Sequence, residues 1–254
     1  MKITLVGFLL VASAVADQCG SHEYNPETHV CNDNQYVCPI LSGEALASCG
    51  ESCYSYFEYS CDNGKDLVPL PAVDKPFELV TYNLYAPDVH DFPVYACGHR
   101  LYFGNGSATC TYCPNMPQLH GLCNDPGLIT NRTILLGGSG GYGLATQVPG
   151  GQRGFIGPEG GLNYTQAHSA SVPNGSQYDG ILAYQQGAFI DTKSEFGWAA
   201  CGQFNADDEV PVWDILAFRK AVVLWDYYDV CAEVKLLVVE ADLENGTYVP
   251  WQYE

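Results

Sequence analysis

Cys49-Gly50-Glu51-Ser52-Cys53-Tyr54-Ser55-Tyr56-Phe57-Glu58-Tyr59-Ser60-Cys61 is the stretch on which the fold class turns. Thirty residues upstream the same landmarks stand in the same order: Cys19-Gly20 for Cys49-Gly50, Tyr24 for Tyr54, Cys31 for Cys61 and Cys38-Pro39 for Val68-Pro69. A short Cys/Gly/Tyr unit present twice implies a small duplicated module held by covalent bonds rather than by a large core.

The repeat also constrains the pairing. The first copy has Glu23 where the second has Cys53, and the second has Val68 where the first has Cys38. If those two positions paired within a copy, both remaining cysteines would be orphans. If they pair between copies, one bridge has been lost as a unit and no thiol is left over. Of the fifteen connectivities that six cysteines allow, the expectation is therefore Cys19–Cys31, Cys49–Cys61 and Cys38–Cys53.

This frame resembles the small cysteine-rich carbohydrate-binding domain attached to fungal endo-1,3-beta-glucanases, carbohydrate-binding module family 52. That family's unit looks like Cys-Gly-x-x-Cys-Tyr-x-Pro-x-x-Tyr-x-Cys followed by Leu-Cys-Pro. The likeness spans about a fifth of the chain. Glu23, Val68, and His29 in place of a second Tyr are the departures. The resemblance implies beta-1,3-glucan as ligand.

The rest of the chain sets the context. Lys2, the apolar run Ile3 to Ala12 and Ala14-Val15-Ala16 read as a secretory signal over residues 1–16. Twelve cysteines behind such a signal imply disulfides, because the export route is oxidising. Asn105, Asn131, Asn163, Asn174 and Asn245 each stand in Asn-x-Ser/Thr and are candidate glycosylation sites. A formal net charge of -19, with no basic cluster, argues against nucleic acid and anionic membranes as partners. Neutral polymers such as glucan or chitin carry no such penalty. The expected location is outside the cell or in the cell wall.

Residues 17–66 are read as the cysteine-rich module and residues 67–76, with Pro69, Pro71 and Pro76, as a stiff extended linker. Residues 77–254 are read as an all-β domain, a sandwich or barrel. The expected strands are Phe77–Leu84, Arg100–Phe103, Thr133–Leu136, Ile181–Tyr184, Val212–Phe218, Ala221–Trp225 and Val234–Val239. Residues 208–220 and 227–238 are also compatible with helices. The opening Phe77-Glu78-Leu79-Val80, Leu182-Ala183-Tyr184, Phe196-Gly197-Trp198-Ala199-Ala200-Cys201, Val212-Trp213 and Cys231 resemble PhiA-type fungal cell-wall proteins. That resemblance carries no catalytic residues.

Several motifs reduce to plainer readings. Gly137-Gly138-Ser139-Gly140-Gly141 matches Gly-x-Ser-x-Gly, and Gly138, Gly140 and Gly143 match a dinucleotide fingerprint, but neither is followed by the helix the chemistry needs. A glycine-rich loop is expected. Cys97, Cys110, Cys113, Cys123 and His120 could be scored as a zinc set, but in an exported chain disulfides are preferred. Cys201 and Cys231 are expected to pair, and the other four to pair locally in an unassigned order. No pair of carboxylates stands out as the acid and base of a glycosidase. No metal, cofactor or catalytic residue is assigned.

Tyr24, Tyr36, Tyr54, Tyr56, Phe57 and Tyr59 are the candidate carbohydrate-binding residues. They crowd a module too small to bury them all, and flat rings can stack on the C–H faces of sugars. Tyr24 and Tyr54 also suit a miniature core beside the bridges. The functional reading is a secreted protein that binds a neutral cell-wall polysaccharide. The alternatives are a glycoside hydrolase carrying the module and a non-catalytic structural or host-facing surface protein.

Overall fold

The computed structural model describes residues 16–119, 131–194, 197–203, 212–218, 227–243 and 249–254. Most of the expected signal segment, the strand Ala221–Trp225, the acidic run Asp207-Asp208-Glu209, His120, Cys123 and Asn245 lie outside the described residues.

The N-terminal region is a chain of hairpins. Asp17–Cys19 pairs with His22–Tyr24, and Ala47–Cys49 pairs with Ser52–Tyr54. Gly20 and Gly50 take φ of 60° and 59° in the two turns, a region that costs glycine nothing. His29–Asn32 pairs with Tyr36–Leu41, and Tyr59–Asp62 with Asp66–Pro69. Each of these turns holds two left-handed residues, Asp33 and Asn34 in one and Asn63 and Gly64 in the other. The connections match too: His29 N–H donates to the Asn25 carbonyl as Tyr59 N–H does to that of Ser55. The bridges are Cys19–Cys31, Cys49–Cys61 and, crossing between the two halves, Cys38–Cys53. These are the bonds at which the offset argument arrives.

Among the described residues, the remainder is built on one large sheet of thirteen strands. Phe77–Tyr82 alternates buried and half-buried residues, which points Phe77, Leu79 and Thr81 inward and Glu78, Val80 and Tyr82 outward. It pairs along its whole length with Val230–Glu240, from Phe77 opposite Glu240 to Tyr82 opposite Lys235. Val230–Glu240 also pairs with Trp198–Gln203, which pairs with Val212–Ala217. From there the pairings pass through Arg100–Phe103, Leu162–Tyr164, Gln152–Ile156, Tyr142–Leu144 and Leu135–Gly137 back to Phe77. The hydrogen-bonded neighbours therefore close into a ring. Residues 230–238 and 212–217 are strand and residues 227–229 form a turn and bend, so of the described residues in the two stretches only Phe218 is helical.

The large apolar side chains of these strands meet in one core. Phe189 and Trp198 stack with centroids 5.6 Å apart, Phe103 and Trp213 at 6.2 Å. The Trp198 indole N–H donates to the Phe189 carbonyl at 2.6 Å, which satisfies its buried donor. Cys201 and Cys231 are directly opposed across two strands and bonded. Cys97 bonds Cys110, and Cys113 is also disulfide-bonded.

The Pro-rich stretch 67–76 is tied at both ends. Its start belongs to the Asp66–Pro69 strand, while Ala72 bridges to Tyr184 and Val73 is buried in the core. The glycine-rich segment is also more structured than a loop: Ser139–Gly140 pairs with Ile181–Leu182. Gly138 has φ of 100°, and a Cβ on it would meet the Ala183 Cβ at 2.5 Å. Close approach of two backbones, and not catalysis, explains the glycines here.

Candidate functional site

The turn after Tyr54 carries the most exposed of the candidate rings. Ser55 accepts backbone bonds from Glu58 and Tyr59, and this turns Tyr56 outward at 44% exposure. Phe57 is half-buried. Its ring lies 4.2 Å from that of Tyr56 and 5.0 Å, edge to face, from that of Tyr82. Tyr82 in turn meets His90 at 5.3 Å, and the Tyr56 and Tyr82 hydroxyls are 3.2 Å apart. Burial, then the Tyr56 hydroxyl, raises the Tyr82 phenol well above its ordinary value. Tyr85 stands nearby at 57% exposure. Tyr82, Tyr85 and His90 were absent from the sequence-based set. The strict alternation of Phe77–Tyr82 is the signal that places Tyr82 on the outer face.

Tyr54 and Tyr59 face a different space. They line a cleft of about 640 Å³ between the hairpins and the sheet, whose far wall includes Ile190, Thr192 and Glu233. The floor is charged. Lys235 Nζ lies 2.8 Å from Glu44 Oε2 and 3.7 Å from Glu58 Oε1, and the Glu44 side chain is fully buried. Ser55 Oγ donates to the same Glu44 oxygen at 2.8 Å, and Ser42 Oγ donates to Glu233 at 3.2 Å. The Glu58 charge adds to burial in raising the Tyr184 phenol.

Tyr36 lines a third space, an open depression of about 430 Å³ shared with His22, Glu23, Glu51 and Cys53, where the two hairpin pairs meet. Tyr24 is half-buried on the His22–Tyr24 strand. The six candidate rings thus do not form one strip. They divide between a junction cluster, a cleft and a depression.

Elsewhere, Arg100 binds Asp214 at 2.6 Å, and the Tyr228 hydroxyl donates to the other Asp214 oxygen at 3.3 Å, beside a pocket of about 310 Å³. Burial raises the Asp214 carboxyl despite Arg100, and burial with the Asp214 charge pushes Tyr228 up to about 12. Among the described residues lining this pocket Asp214 is the single carboxylate. Among the described residues no cluster of three or more His, Cys, Asp or Glu could hold a metal ion.

Residues 18–65 match a family described as carbohydrate binding. The chain is 39% identical over 172 residues to an uncharacterized secreted protein of Arthroderma benhamiae, covering 65% of this chain and 80% of that protein. It is 42% identical over 46 residues to the primary septum glucan endo-1,3-beta-D-glucosidase of Schizosaccharomyces pombe, covering 18% of this chain and 4% of that enzyme. No solved structure matches the chain.

Proposed function

Because this chain belongs to the family of the secreted Arthroderma benhamiae protein and carries a carbohydrate-binding domain at residues 18–65, we propose that it binds a neutral polysaccharide outside the cell. The ligand proposed is cell-wall beta-1,3-glucan, with chitin second. Its kinship with the Schizosaccharomyces pombe enzyme, whose name specifies 1,3-beta-glucan, supports that order. In this reading the hairpin pairs are a duplicated module of the family 52 type. The ring of strand pairings is a closed barrel, a wall-associated partner of the PhiA kind.

The observation that carries the proposal is the aromatic surface of the matched region, where Tyr54 and Tyr59 line a cleft on a disulfide frame. A covalently fixed platform loses little conformational entropy when a sugar chain settles on it. The net charge of -19 suits an uncharged ligand.

The test is sedimentation of the mature protein with insoluble beta-1,3-glucan, chitin and cellulose. Wild type is expected in the glucan pellet at low and high salt alike. Tyr59→Ala should weaken retention by about tenfold, about 1.4 kcal/mol, the upper end of the scale of one aromatic contact. Wild type left in the supernatant with all three polymers would overturn the proposal.

A further inference from the structure

We infer that the sugar chain is held in the cleft between the hairpins and the sheet, so that strand residues beyond the carbohydrate-binding domain form half of its site. This rests on the carbohydrate-binding reading above and says where the ligand lies and what kind it is.

Three observations carry it. The first is shape. At about 640 Å³ the cleft falls within the range of about 300–1,000 Å³ usual for ligand sites, and it lies between two packed units, where such sites concentrate. The depression beside Tyr36 is smaller and more open.

The second is chemistry. Tyr54 and Tyr59 supply rings for the apolar faces of pyranoses, while Thr192 and Glu233 on the opposite wall supply groups for their hydroxyls. Among the described residues of the lining, Glu58, Asp191 and Glu233 outnumber the single cation Lys235, which is engaged with Glu44 and Glu58. A uronate or sulfated sugar would meet net negative charge. The cleft selects a neutral oligosaccharide of several hexopyranose units.

The third is preorganisation. The walls are cross-tied by the Lys235–Glu44 pair and by backbone bonds from Ala188 N–H to the Phe57 carbonyl at 2.8 Å and Leu84 N–H to the Gly43 carbonyl at 3.3 Å. A site assembled before binding avoids the ordering cost of closing two separate surfaces on a ligand.

The experiment is calorimetric titration of the full mature chain with the soluble 1,3-beta-linked glucose hexaose, and with an oligogalacturonate as the anionic counterpart. Tyr59→Ala removes a ring from the hairpin wall. Thr192→Trp obstructs from the sheet wall at an exposed position, and thermal midpoints verify that both variants fold. Tyr112→Ala, an exposed ring outside both the cleft and the matched region, serves as the control. Both cleft variants should lose about tenfold or more in affinity, about 1.4 kcal/mol. Tyr112→Ala should stay within twofold of wild type, and the anionic sugar should not bind. If wild type binds the hexaose while Tyr59→Ala and Thr192→Trp bind equally well, the cleft is not the site, although the carbohydrate-binding reading stands. If wild type binds neither the hexaose nor any insoluble polymer, that reading falls and the cleft inference falls with it.

Discussion

Asn163 stands in the same Asn-x-Ser/Thr pattern as Asn105, Asn131 and Asn174, yet its surroundings differ. It lies within the strand Leu162–Tyr164, opposite both Phe155 and Arg100. Its amide packs so closely on Gly157 that a Cβ there would meet it at 2.7 Å, and Thr165 of the same pattern is buried. Asn105, Asn131 and Asn174 are exposed. We expect glycans on these three and none on Asn163, read by peptide mass after enzymatic deglycosylation; a modified Asn163 peptide would refute this. The pattern is legible in the letters, while the space around each asparagine is set by strands distant in sequence. The same holds for the rings. Tyr56 was identifiable as a displayed residue, but Tyr82, which meets Phe57 and the Tyr56 hydroxyl, lies 26 positions away from Tyr56.

The strand Val230–Glu240 joins the hairpins to the sheet. Sequence marks only Val234–Val239, because Glu233 interrupts the run on its N-terminal side. In the fold Glu233 and Lys235 alternate outward while Val234, Leu236 and Val238 point into the core, which is also why a helix does not form here. Lys235 serves the buried Glu44 carboxylate, with only 14% of its side chain exposed. Lys235→Met leaves that carboxylate buried without its cation, and breaking such a pair costs about 3–5 kcal/mol. The urea midpoint of Lys235→Met should fall accordingly. Adding Glu44→Gln should recover much of the loss, because no uncompensated charge then remains. A double variant as unstable as the single would show that the ion pair does not account for the effect. The Gly137–Gly141 segment is the converse case. Its letters suggest a loop, yet glycines let it turn sharply and still pair with Ile181–Leu182.

Across the whole molecule, stability in alkali should follow the buried phenols. Burial raises Tyr142, Tyr164 and Tyr253 well above their ordinary value, with hydrogen bonds to backbone only partly opposing it. A phenol whose folded pKa is raised ionises first in the unfolded chain. Its contribution is therefore fully present below about pH 10 and is lost as pH rises above that. Absorbance of tyrosinate should show a fraction that appears only together with loss of circular dichroism; a single smooth titration of all tyrosines on the intact fold would contradict the burial. The sequence by itself determined the disulfide-rich N-terminal region, the bridges argued from its thirty-residue offset and the β character of the rest, because covalent spacing, turn residues and two-residue alternation act over short distances. Only the tertiary structure decided that the strand pairings close into a ring and that Tyr54 and Tyr59 face Thr192 and Glu233 across one cleft. The physical reason is that strand order and docking depend on which distant surfaces bury one another, and Lys235 reaches Glu44 across 191 positions of chain that no local pattern spans.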